Sequence, residues 1–235
     1  MRGSSSEGAV PGYRLERVVA SVQRFRKSWH RVHRPQDVNN LLGLFPHVSL
    51  QRGYVLDYLP MGGEASRWIW PFVRQEREIG PPPELASLAR DYLIQQRDSG
   101  KLRPVVAETL YQYMIYERSP VGLLEYALFV SELWATKSES VAGEWLNLEP
   151  LLTRRAYDDV LRKTRSTALR FSRPLGYDPL VELSPEGGGA ARMLVYHPGD
   201  WKRIYVLRLL VAPEGEVRRS AGELVANLGG GPEAR

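Results

Sequence analysis

Between Arg14 and Arg34 the apolar residues Leu15, Val18, Val19, Val22, Phe25, Trp29 and Val32 recur at helical spacing. With successive residues turned by about 100°, they fall within one arc. Arg17, Arg24, Lys27, Arg31 and Arg34 fall on the opposite side. The pattern predicts an amphipathic helix over 14–34, stopped by Pro35, with a short turn or helix over 36–45 before Pro46. Further on the period changes to two. Tyr54, Leu56 and Tyr58 alternate in one segment, and Trp68, Trp70 and Phe72 in another, across Pro60-Met61-Gly62-Gly63. Alternation on either side of turn chemistry predicts a β-hairpin. Pro71 lacks an N–H for the ladder, which places the second strand at a sheet edge.

Gly80-Pro81-Pro82-Pro83 is a stiff connector. Helical patterns follow at 84–99 and from Pro104 to about Glu117. Ser119-Pro120 is a cap and first-turn signal for a helix over the apolar run Val121–Trp134, which is too short to span a bilayer and carries Glu125 and Glu132. Thr153 opens one more helix, with Tyr157, Val160, Leu161, Ala168 and Phe171 on its apolar side. The last third is strand-rich. Leu180–Leu183 is a short strand, Glu186–Gly189 a flexible loop, and Arg192–Tyr196 with Trp201–Val211 a second hairpin. Ile204–Val211 is apolar on both faces apart from Arg208, as in a central strand. Val217, Ala221, Leu224, Val225 and Leu228 fit a closing helix.

Together these elements predict an α+β fold: a helical block flanked by two antiparallel hairpins that join one sheet, preceded by an amphipathic helix. Residues 1–13 and 229–235 read as flexible tails, and 14–228 as a single domain with a sub-boundary, if any, near 80–83. A chain of 235 residues can bury most of its apolar surface without a staple, and it contains no cysteine. That excludes disulfides, thiolate nucleophiles and cysteine-built zinc sites, and it suits the cytoplasm. No signal-peptide pattern and no transmembrane segment is found.

Charge adds direction. The net charge is +5, and Met1–Arg34 alone holds eight cations against Glu7 and Glu16. A second basic stretch, Arg154–Arg173, holds Arg154, Arg155, Arg162, Lys163, Arg165, Arg170 and Arg173 against Asp158 and Asp159. Arginine's planar fork suits phosphate. Arg17, Arg24, Lys27, Arg31, Arg162, Lys163 and Arg170 are therefore the candidate contacts to nucleic acid or another polyanion, and Trp68, Trp70 and Phe72 a candidate stacking platform for bases.

Catalytic signals are absent. His30 and His33 stand three apart, but no third ligand accompanies them, and Gly187-Gly188-Gly189 lacks the Lys-Ser/Thr of a phosphate loop. No catalytic residue, metal or cofactor is assigned. The expected function is a non-enzymatic accessory protein that contacts nucleic acid or another polyanion through arginine-rich helix faces. One alternative is a protein-interaction module for an acidic partner, such as a subunit of a bacterial complex or an immunity-type protein. A second is a metal-dependent nuclease or other hydrolase. Its carboxylates, drawn from Asp57, Glu64, Glu76, Asp178, Glu182 and Asp200, would meet only in the fold.

Overall fold

The computed structural model of the chain describes residues 6–31, 38–61, 68–76, 105–106, 110–135, 148–164, 169–170, 176–198 and 202–228. The readings made for Pro35, the 62–63 turn residues, the 80–83 connector, the 84–99 helix, Ala168, Phe171, His33, Glu64, Asp200 and the 229–235 tail lie outside those residues. So do the side chains of residues 27–31, Trp68, Trp70 and Arg170. The architecture is α+β, with antiparallel strands and helices.

The chain divides into two compact units: Met1–Ala20, Arg118–Ala127 and Asn147–Arg235 form one, and Ser21–Glu117 and Leu128–Leu146 the other. Two helices contribute residues to each unit, α1 (Gly12–Arg31) and α3 (Pro120–Ala135). The predicted amphipathic helix is thus present, and its Leu15, Val18, Val22 and Phe25 are buried.

The first unit is built on a seven-stranded sheet. Its strands are β1 (Ser6–Ala9), β7 (Glu149–Pro150), β8 (Leu169–Arg170), β9 (Leu180–Leu183), β10 (Gly189–His197), β11 (Arg203–Val211) and β12 (Val217–Asn227). They run in the order β1-β9-β10-β11-β12-β8, with β7 pairing β10 beyond the reach of β9. The predicted C-terminal hairpin is β10–β11, and β11 is indeed interior. β1 lies inside the segment expected to be a tail. Ser-Glu-Gly-Ala carries no apolar alternation, and its place in the sheet is set by backbone pairing with β9.

The closing helix is corrected to a strand. β12 pairs along β11 from Val217↔Val211 to Asn227↔Arg203, with register irregularities around Ile204–Leu207. Such bulges interrupt the strand period of two, which is how Val217, Ala221, Leu224 and Val225 come to imitate helical spacing. The glycine loop is corrected as well. Ser184 and Gly188 close a tight turn between β9 and β10, and Gly187 and Gly188 have φ values of 107° and 67°.

One face of this sheet carries α4 (Arg154–Lys163), whose Tyr157 and Val160 pack with Leu151, Leu194, Tyr196, Ile204, Val225, Ala226 and Leu228. Burial, with the Glu149 carboxylate beside it, raises the Tyr196 phenol above its ordinary pKa. Thr153 caps α4 as predicted, accepting from the Ala156 N–H at 3.2 Å. The helix ends at Lys163, since Leu169–Arg170 is strand. Thr153→Ala is expected to lower stability by about 1 kcal/mol, read as a reduced midpoint in urea with an unchanged slope. The opposite face meets α3. Leu123 lies against Gly189, and the Tyr126 hydroxyl donates to the Gly215 carbonyl at 2.7 Å.

The second unit contains α2 (Val38–Leu42), β2 (Val48–Leu50), β3 (Tyr54–Met61), β4 (Trp68–Gln75), β5 (Val105–Val106) and β6 (Met114–Tyr116). The predicted first hairpin is β3–β4. It belongs to a three-stranded sheet of this unit, so the two hairpins do not share one sheet. β4 is also not an edge: it lies between β3 and β5. Its pairing with β5 covers only Phe72 and Val73, which leaves Pro71 out of that ladder. The expected helix from 104 to 117 is instead β5, a 3-10 turn at Leu110–Tyr113, and β6 paired with β2. Met114 is buried and Ile115 is 49% exposed, the alternation of a half-buried strand.

In this unit Phe129 of α3 meets Phe45 edge to face at 5.5 Å. Arg26 of α1 forks onto Glu132 of α3, with Nε to Oε2 at 2.9 Å and Nη2 on Oε1. Both side chains are nearly closed to solvent, at 11% and 5% exposure.

Candidate functional site

The apolar side of α4 is locked to the sheet, which turns its charged side outward. Arg154, Arg155, Arg162 and Lys163 are exposed. Arg154 lies 3.6 Å from Asp158 one turn on, and Arg162 pairs with Asp159. The side chains of Arg155 and Lys163 make no hydrogen bond or ion pair among the described residues. Arg162 and Lys163 stand in the last turn, where the helix dipole favours cations.

Of the candidate contacts on α1, Arg17 and Arg24 are exposed, and the Arg24 guanidinium donates to Ser21 Oγ of its own helix at 3.0 Å. Lys27 and Arg31 lie on α1, and Arg170 on β8.

The face of the sheet that α4 covers continues uncovered beyond it. Leu194, Tyr196, Ile204 and Val206 pack under α4. The same alternation then brings Arg192, Arg208 and Leu210 onto that face, and the β11–β12 register adds Ser220 opposite Arg208 and Arg218 opposite Leu210. Leu210 is 51% exposed. Arg192 reaches Glu182 at 2.8 Å, and Arg218 reaches Glu216 at 3.0 Å. The hydrogen bond from Arg218 holds the Glu216 carboxyl below its usual pKa, opposed by desolvation and aided by the Arg218 charge.

Sequence reasoning passed over these arginines. Arg208 stood out as the one charge in an apolar strand, but its neighbours on the adjoining strands are invisible without the register. Arg218 was hidden by the helical reading of its segment.

Phe72 of the candidate stacking platform is 1% exposed, a core ring closed to any base. Tyr54 packs against Tyr113 with ring centroids 4.5 Å apart and the planes tilted by 46°.

The described candidate acids serve mainly structural ends. Asp57 accepts from Arg74 Nε at 2.6 Å. Asp178 accepts from the Gly12 N–H at 2.8 Å, at the start of α1. Glu182 holds Arg192, and Glu76 is exposed. No group of three or more metal-ligating side chains occurs among the described residues. No helix among them is long and apolar enough to cross a membrane.

No protein-family model, curated protein or solved structure matches the chain.

Proposed function

We propose that this protein is a non-enzymatic accessory module that holds nucleic acid by its phosphate backbone against the outer side of α4. The observation that supports the reading is the placement of Arg154, Arg155, Arg162 and Lys163 on the solvent side of a helix whose other side is buried. A fixed array of this kind offers charge to phosphates without first having to be ordered. Asp158 and Asp159 offset part of the charge. Even so, exposed ion pairs are weak and can be exchanged for phosphate.

The protein-interaction reading needs part of the apolar arc of α1 to be open; of its described members Leu15, Val18, Val22 and Phe25 are buried and Val19 is half-buried.

The test is binding to short single- and double-stranded DNA and RNA across a salt series. For the protein, log K should fall linearly with log salt concentration. In the Arg155→Gln/Arg162→Gln/Lys163→Gln variant, the slope for duplex DNA should be shallower by about 2–3. An unchanged slope in that variant, or no binding at physiological salt, would overturn the reading.

A further inference from the structure

We infer that Arg208, Arg192 and Ser220 form a phosphate-binding row on the open sheet face of the first unit, which receives backbone phosphates of the nucleic acid held by α4. The inference rests on the proposed function and extends its contact surface from the helix onto the sheet.

Arg192, Arg208 and Ser220 stand directly opposite one another on β10, β11 and β12. Adjacent strands are about 4.8 Å apart, so two guanidinium-bearing chains and a hydroxyl sit side by side. Like charges directly opposite on neighbouring strands are destabilising. Arg192 is compensated by Glu182. The Arg208 side chain is exposed and makes no hydrogen bond or ion pair among the described residues. The fold therefore keeps a cation at position 208 against the local electrostatic cost and gives it no described structural partner.

The backbone around Arg208 is also shaped for it. The β11–β12 register slips between Tyr205 and Leu207, placing Gly222 at a bulge of β12. Bulges re-aim side chains and gather at functional sites. A Cβ on Gly222 would come within 3.2 Å of Arg208 Nε and 2.8 Å of the Val206 carbonyl oxygen. The guanidinium arm of Arg208 thus crosses β12 at the one place where the strand has no side chain. Ser220, exposed two residues earlier, supplies a hydroxyl donor beside it. A planar fork with an adjacent hydroxyl is a donor set for phosphodiester oxygens.

The experiment compares the full chain with Arg208→Gln, Arg208→Lys and the α4 triple variant, using labelled short duplex DNA across a salt series and thermal melting of each protein. Arg208→Gln should bind about tenfold more weakly, with a salt slope shallower by about one and a melting temperature unchanged or raised. Arg208→Lys should keep the slope but lose affinity, because it retains the charge without the fork. If Arg208→Gln binds like the parent while the α4 variant loses binding, the sheet row is overturned and the proposed function stands. If neither variant changes binding, both fall. If Arg208→Gln lowers the melting temperature along with binding, Arg208 is a structural group and the inference is overturned.

Discussion

Arg26→Met is expected to destabilise the protein by about 3–5 kcal/mol, the loss that follows when one partner of a buried ion pair is removed. The reason lies in what is left behind. Glu132 is 5% exposed, on a helix whose residues from Gly122 to Leu133 are all buried. Without the fork of Arg26, its carboxylate keeps the desolvation cost and loses the two hydrogen bonds that offset it. Glu132→Gln should cost less, since the amide oxygen can still accept from the Arg26 guanidinium, whereas Arg26→Met removes that donor altogether. The double variant Arg26→Met/Glu132→Leu should be more stable than the sum of the single losses predicts, because it removes both charges together. Urea unfolding of the parent, Arg26→Met, Glu132→Leu and the double variant measures the coupling. Additive losses would mean that the pair does not act as a unit.

The second large effect is expected at Gly188, where two readings of one segment predict opposite results. As part of a flexible loop, Gly188→Ala would be harmless or slightly stabilising through the unfolded chain. In the β9–β10 turn its φ is 67°, and an added Cβ would stand 2.2 Å from the Val211 carbonyl oxygen and 2.8 Å from that of Ala212. Both obstacles are backbone, so relief requires moving the end of β11. A loss of about 2–4 kcal/mol is expected from the combined strain and overpacking. Gly176→Ala, with nothing within 4 Å, is the matched control. Equal melting temperatures for the two variants would contradict the turn geometry.

These cases show where the sequence was legible. α1, α3 and the start of α4 were read correctly because each has a capping or apolar pattern that acts locally: Ser119 accepts from the Gly122 N–H at 3.1 Å, and Thr153 caps α4, which nevertheless ends at Lys163. The hairpins were legible because turn chemistry and alternation lie close together in the chain. What failed depended on distant partners. β1 has no pattern of its own and is made a strand by β9. β12 follows a bulged register that only β11 dictates. β4 is interior because of the two-residue strand β5. The α4 cations of the candidate surface were named from composition and periodicity. The sheet arginines were missed because they become neighbours only once the strand order is known.

The wiring of the first unit has a consequence for its synthesis. Its segments are Met1–Ala20, Arg118–Ala127 and Asn147–Arg235, and the bond from Gly12 to Asp178 spans 166 positions. On the ribosome, where roughly 5–20 residues are added per second, β1 must wait many seconds before β9 exists to receive it. Contacts of such long sequence separation slow folding and leave strand edges open in the meantime. Ser6–Ala9 is short, carries Glu7 and contains Gly8, so it is a poor template for self-association during that wait. The weak intrinsic pattern that made β1 unreadable thus also lets it remain unpaired without aggregating until its partner strand emerges.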